Sequence, residues 1–299
     1  MRSMKNTNLL ASCEMELIGL FKNVPANTTD IMLNPNGTCF FETSSGSSGQ
    51  LRICASEKTL LRLATVLASF TNQNLNDSSP CISCMLPATK YRAEVLVPPA
   101  TNGICIAIRI PNRSFCNLEQ LEERQMIDRN QRQHLEQLVR ERKTIAISGQ
   151  TGSGKTTLLC ALANAIPESE RVLIIEDDTR EIEINRKNCV SIVSKKGIIT
   201  GREAVRSALR MNPDRIIYGE TRDGESALEL LKAFRTGHSG GMFTIHASNA
   251  SQVLRRLEDL LMEVTNSNGA SLVASTIDAV AHLGFNENGS RVVREIITL

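Results

Sequence analysis

The spacing of apolar positions changes several times along the chain. Leu60, Leu61, Leu63, Ala64, Leu67, Ala68 and Phe70 recur at helical spacing and predict an amphipathic helix. Around it, Thr38–Phe41, Leu51–Cys54, Arg92–Val97 and Ile104–Ile110 read as short strands. Glu42–Gln50 reads as a polar hairpin tip, Thr71–Pro80 as a loop, and Pro98-Pro99 with Asn102-Gly103 as a turn. Together they predict a small α+β domain over residues 1–115, closed by a linker at Pro111–Cys116. Asn117 then opens a helix with Gln120 as its capping-box partner, and Asn130–Arg142 forms a second, charged helix. From Lys143 onward, apolar runs alternate with helical patterns. That alternation predicts a layered α/β domain with a largely parallel sheet over residues 116–299. Within it, Val253, Leu254, Leu257, Leu260, Leu261 and Val264 make one apolar helix face. Arg255, Arg256, Glu258 and Asp259 make its solvated or subunit-facing side.

Composition narrows the classes. A length of 299 residues suits two domains. The net charge of +2 and the lack of a Lys/Arg block argue against a nucleic-acid tail, and the absence of Trp argues against base stacking. No direct nucleic-acid partner is expected. No apolar run reaches the roughly 20 residues of a membrane-spanning helix. Glu14 and Glu16 interrupt the apolar stretch Leu9–Phe21, which does not read as a signal peptide, so a cytoplasmic protein is expected. Leu17, Ile18, Leu20 and Phe21 suit core packing or a peripheral membrane contact. The nine cysteines are expected as reduced thiols. Cys81 and Cys84 form a lone C-x-x-C without a second pair. On an extended strand they would point to opposite faces, which favours small buried hydrophobes over a zinc or redox pair.

The chemistry concentrates after residue 148. Gly149-Gln150-Thr151-Gly152-Ser153-Gly154-Lys155-Thr156, followed by Thr157, matches G-x-x-x-x-G-K-[ST]. Glycines let successive backbone N–H groups point at an anion. Lys155 would reach the β- and γ-phosphates of a nucleoside triphosphate, and the Thr156 hydroxyl would ligate Mg²⁺. Thr144–Ile147 reads as the strand leading in, and Thr157–Ala165 as the helix leading out, stopped before Pro167.

Three more segments carry polar groups near strand ends, where open α/β sheets bind ligands. Val172–Ile175 runs into Glu176, Asp177, Asp178 and Glu181, a candidate carboxylate set for nucleotide-bound Mg²⁺ or a solvated acidic turn. Asp214–Gly219 ends in Glu220, which could orient and deprotonate an attacking water. Gly219 stands where such NTPases commonly have a metal-ligating Asp, so metal coordination falls to Thr156 and the acidic segment. Thr236–Ala247 is a glycine-rich turn and short strand ending in His246, a candidate sensor of the γ-phosphate.

In this order these elements resemble the secretion ATPase superfamily of type IV secretion and conjugation, type II secretion and type IV pili. Within it the chain is similar to TrbB-type conjugal transfer ATPases. The similarity is carried by Ile31–Gly37, Ala107-Ile108-Arg109, Arg210–Arg215, Leu230–Phe234, Thr244–Ala247 and Leu254–Glu258. The resemblance implies a RecA-like P-loop NTPase domain after a small α+β domain. It also implies use of ATP and Mg²⁺, and a homohexamer working with secretion or conjugation apparatus proteins at the inner membrane. It assigns base duty to Glu220, γ-phosphate sensing to His246 and the acidic-box glutamate to Glu181, and leaves the role of Asp177 open. Arg210 and Arg222 match arginines acting near the γ-phosphate, in cis or across a subunit boundary. Arg109 matches an arginine that touches nucleotide, and Arg92 is a weaker candidate. Alternatives are a type II secretion or pilus motor, an ATP-gated scaffold with little hydrolysis, and a DNA-handling ATPase.

Overall fold

A computed structural model describes residues 24–25, 27–43, 47–71, 73–86, 91–110, 116–177, 180–195, 197–265 and 269–299. The apolar stretch Leu9–Phe21, Asp178-Thr179 and most of the expected linker lie outside these residues. The chain divides into two compact units, Met1–Asn112 and Arg113–Leu299.

The first unit contains strands β1 (Thr28–Leu33), β2 (Thr38–Thr43), β3 (Ser48–Cys54), β4 (Cys81–Met85), β5 (Arg92–Leu96) and β6 (Cys105–Arg109), with helix α1 (Glu57–Thr71). The strands form an antiparallel sheet in the order β3-β2-β1-β6-β5-β4. Alternate residues face α1: Ile31 and Leu33, Ile82 and Cys84, Ala93 and Val95, Ile106 and Ile108 share a core with Leu60, Leu63, Ala64 and Leu67. Cys84 lies in that core while Cys81 is exposed and donates to Glu94 Oε1 at 2.8 Å. The two thiols therefore sit on opposite faces, as the strand period requires.

The second unit opens with α2 (Leu118–Glu123) and α3 (Arg129–Arg140). Asn117 and Asp128 cap them through reciprocal boxes with Gln120 and Gln131. There follow β7 (Ile145–Gly149), α4 (Lys155–Asn164), β8 (Val172–Asp177), β9 (Cys189–Ser194), α5 (Gly201–Leu209), β10 (Arg215–Thr221), α6 (Gly224–Arg235), β11 (Met242–Ile245), α7 (Gln252–Met262), α8 (Gly269–Ala274), β12 (Ala279–Phe285) and β13 (Arg291–Thr298). The sheet order is β13-β12-β7-β11-β10-β8-β9, parallel except for the antiparallel edge strand β13. Neighbouring residues of the buried strands face opposite layers. Ile145 and Ile147 pack with α2, α3 and α4, whereas Ala146 packs with α5, α6, α7 and α8. The result is a three-layer RecA-like α/β/α domain whose near-continuous apolar strands reflect burial on both faces.

The start of β10 holds a charged hub. Arg215 is fully buried, and its guanidinium binds Glu170 (2.6 Å) and donates to the carbonyls of Gly240 (3.1 Å) and Val139 (2.9 Å). A Cβ on Gly240 would stand 1.9 Å from Arg215 Nη1, and Gly240 has a φ of +80°, so only glycine fits there. The turn before β11 thus lies at the N-terminal edge of the parallel sheet, opposite the phosphate loop. Its glycines admit Arg215 and Phe234, and the strand it leads into carries His246 to the other edge.

Candidate active site

β7 delivers the loop Gln150–Gly154 to the C-terminal edge of the sheet, and α4 carries the chain away from it. Gly149, Gly152 and Gly154 have positive φ. A Cβ on Gly149 would meet Leu283 O at 2.5 Å and Ser153 Oγ at 2.6 Å, while the crest at Gly152 is open. Gln150 and Thr151 are exposed, and Thr156 and Thr157 are half-buried in the first turn of α4. α2, α3, α5 and α6 each have a side chain at the N-terminus accepting from their first turn, whereas α4 begins after Gly154 with no such cap. Its first-turn N–H groups form an anion-binding end on which the helix dipole acts in the same sense. Ser153 Oγ is buried without a partner, and Lys155 Nζ turns back onto the carbonyls of Gly149 (3.0 Å) and Gln150 (2.9 Å). An uncapped helix start, an orphan hydroxyl and a buried ammonium fit a polyphosphate.

Opposite the loop, His246 links Lys155 to Glu220. His246 Nδ1 lies 3.5 Å from Lys155 Nζ, and Nε2 lies 2.9 Å from Glu220 Oε1. In a neutral imidazole, donation from Nε2 to the carboxylate leaves Nδ1 as an acceptor facing the ammonium. Glu220 Oε2 accepts from Arg222 Nη2 at 2.9 Å, and Arg222 Nη1 reaches Asp177 at 3.4 Å. Burial works against the Glu220 carboxylate. Arg222, then His246 and Lys155, outweigh it and hold its pKa below the usual carboxylate value.

A strand irregularity sets the position of Glu220. Between β10 and β11, Tyr218 pairs with Phe243 and Thr221 with Ile245, so Gly219 and Glu220 stand opposite Thr244 alone. This is a one-residue bulge, a device that re-aims a side chain. Thr244, itself buried, fills the interrupted ladder by donating from Oγ1 to Gly219 O at 2.5 Å. A Cβ at Gly219 would meet only van der Waals neighbours, among them Glu176 Cγ at 3.5 Å.

Of the acidic segment, Glu176, Asp177 and Glu181 lie among the described residues, and they are placed differently. Glu176 is buried and accepts from the backbone N–H groups of Glu181 (2.6 Å) and Ile182 (2.7 Å) and from Ser191 (3.2 Å). Desolvation raises its pKa against those bonds. It therefore pins the loop, while Asp177 faces Arg222 and Ser194 and Glu181 is exposed. Among the described residues no three His, Cys, Asp or Glu side chains form a metal-holding group. The Thr156 hydroxyl and the exposed Glu181 carboxylate are the groups that could hold a bound Mg²⁺.

The remaining arginines are placed differently. Arg210 caps the C-terminus of α5, which runs back to the N-terminal edge of the sheet. It sits away from the phosphate loop of its own chain, so the cis role is corrected and only action across a subunit boundary remains open. Arg109 lies in the first unit, paired across strands with Asp30 and Arg92. Sequence reasoning missed Thr244 and Glu176 as positioning groups. Thr244 lay within a noticed segment, but a bulge between parallel strands has no local signature.

The fold and this edge of the sheet define a RecA-like phosphate-loop domain that follows a small antiparallel sheet unit in the chain. A family described as "Type II/IV secretion system protein" matches residues 76–284, and the chain belongs to it. It is 35% identical over 279 residues to the conjugal transfer protein TrbB of Rhizobium radiobacter, covering 91% of this chain and 84% of that protein. It is 34% identical over 250 residues to the type IV secretion system protein VirB11 of Bartonella henselae, covering 70% of this chain and 68% of that one. The structure of the Legionella pneumophila ATPase DotB superposes with a TM-score of 0.66 at 21% identity, over 97% of this chain and 79% of that one, a likeness of fold. The chain is thus a homologue of secretion-system traffic ATPases. No helix among the described residues is long and apolar enough to cross a membrane.

Proposed function

We propose that this protein is a Mg²⁺-dependent ATPase, a hexameric traffic motor that energises type IV secretion or conjugal transfer at the inner membrane. The observation carrying this reading is the facing of an uncapped phosphate-loop helix and Lys155 against the His246–Glu220 pair. Gly149–Thr157 would cradle the phosphates, Lys155 would leave its loop carbonyls for the β- and γ-oxygens, and the Thr156 hydroxyl would hold the metal. Bound Mg²⁺ would neutralise charge on the phosphate oxygens. Glu220 stays ionised because of Arg222, which makes it a weak base. Its role is to orient water first and accept the proton late. His246 would read the terminal phosphate through Nδ1, and Arg222 would exchange Glu220 for developing phosphate charge. Arg109, and Arg210 from a neighbouring subunit, would complete the charge balance. Motion between the two units would transmit force to apparatus proteins. Identity to TrbB and VirB11 supports the type IV assignment over a type II or pilus motor.

The test is Mg²⁺-dependent ATP turnover against protein concentration, for the wild type and Glu220→Gln. Specific activity should rise with concentration in the wild type and be absent in the variant, with ATP still bound. Normal turnover in Glu220→Gln would remove Glu220 from the chemistry. Binding without turnover in the wild type would favour the scaffold reading.

A further inference from the structure

The β12–β13 hairpin brings an arginine to the phosphate loop that no motif announces. Leu283 of β12 pairs with Gly149, and Phe285, at the end of β12, pairs with Arg291, the first residue of β13. Arg291 therefore stands at the C-terminal edge of the parallel sheet, beside the loop. Its Cδ lies 3.5 Å from the point a Cβ on Gly154 would occupy, a point also flanked by Met126 Cε at 2.8 Å and Leu283 Cδ2 at 3.8 Å. The stem is thus packed across the last glycine of the loop. At the head, Arg291 Nε is shut from solvent without a hydrogen-bond partner. Arg206, Arg215 and Arg222, in the same unit, each have a carboxylate partner. An arginine held by its stem with a dry, unsatisfied nitrogen beside an anion cradle is arranged for a missing ligand group.

Sheet order says which part of a ligand that is. The reacting groups Lys155, His246 and Glu220 lie on the loop and on the β11 and β10 side of β7, whereas Arg291 lies on the other side, beyond β12. A nucleotide with its terminal phosphate facing Glu220 must extend the other way, over β12 toward β13. Two strand spacings, roughly 10 Å, separate β7 from β13. We propose that Arg291 binds the nucleoside of the substrate, its ribose or base, and fixes which end of the nucleotide enters the reacting side. This rests on the nucleotide-binding reading above.

Calorimetric titration of the full chain with ADP and with inorganic tripolyphosphate tests it, for the wild type and Arg291→Met. Methionine keeps most of the stem over Gly154 and Met126 and removes the guanidinium. Loss of charge-assisted bonds predicts at least about tenfold weaker ADP binding with tripolyphosphate affinity unchanged. Retained tripolyphosphate binding also shows that the loop is folded in the variant. Should Arg291→Met not fold, Arg291→Gln is read the same way. A loss of ADP affinity below about threefold overturns the proposal, and so does a parallel loss for both ligands, which would mean Arg291 serves the loop rather than the nucleoside. A wild type that binds neither ligand sinks the nucleotide reading itself.

Discussion

Thr244→Val isolates the bulge that aims Glu220. Valine matches threonine in shape, so β11 keeps its packing, but it cannot donate to Gly219 O. The bond lost is 2.5 Å long in wild type, from a hydroxyl on a residue only 2% exposed. Removing a donor and leaving a part-buried carbonyl short of its partner falls at the low end of about 1–3 kcal/mol. Part of that cost should appear as global stability and part as disorder in the Gly219-Glu220 step. If the extra residue in β10 were absorbed by a slip in register, Glu220 would turn to the opposite face of the sheet. The expected result is a fall in kcat of about tenfold, each 1.4 kcal/mol being a factor of ten. KM for ATP should change little, because Lys155 and the loop are untouched. Thr244→Ser, which restores the hydroxyl, should recover most of the loss. Phosphate release gives kcat and KM, and urea unfolding followed by far-UV circular dichroism gives stability, since the chain has no Trp to follow. A Thr244→Val protein with wild-type kcat and stability would refute the idea that this bond holds the bulge.

Glu176 and Glu220 should give opposite pH signatures. Glu220 has a folded pKa below 4.5, so its stabilisation is complete above that pH and is lost as pH falls through the folded value; the stability gap between wild type and Glu220→Gln should shrink below pH 4.5. Glu176 has a folded pKa above 4.5, so its ionisation disfavours the fold as pH rises through that range, and Glu176→Gln should gain on wild type toward neutral pH. Urea midpoints across the acidic range check both, and gaps that change in the same direction with pH would contradict the assignment. Arg215→Met strips the hub of its buried guanidinium and should cost about 3–5 kcal/mol. The low end is expected because Arg142 stays 3.1 Å from Glu170, and a urea-measured loss under about 1 kcal/mol would show that the hub is not structural.

What was legible in the chain was whatever one segment could state alone. The phosphate loop, the capping box at Asn117 and Gln120, and the strand ending in Glu220 are each written in consecutive residues, and each stands in the structure as a local unit. One rule sorts the polar segments. Arg210 and the glycines at Gly240-Gly241 lie in segments that precede a strand, while Lys155, Glu220 and His246 lie at or just after a strand's end. In a parallel sheet the helices run back, so residues before a strand gather at the edge away from the ligand, and residues after it gather at the ligand. Glycine-rich sequence before β11 thus had a packing reason, the approach of Arg215 and Phe234, although its composition resembles an anion loop. The same rule was available from the sequence and would have moved Arg210 away from its own chain's phosphate. Thr244 and Arg291 are a different case. Their partners lie on neighbouring strands, and only register between strands decides which side chains meet. Arg291 shows the consequence most plainly: an ordinary-looking residue of a terminal hairpin becomes a neighbour of Gly154 because β12 pairs with β7, and no spacing within the chain encodes that pairing.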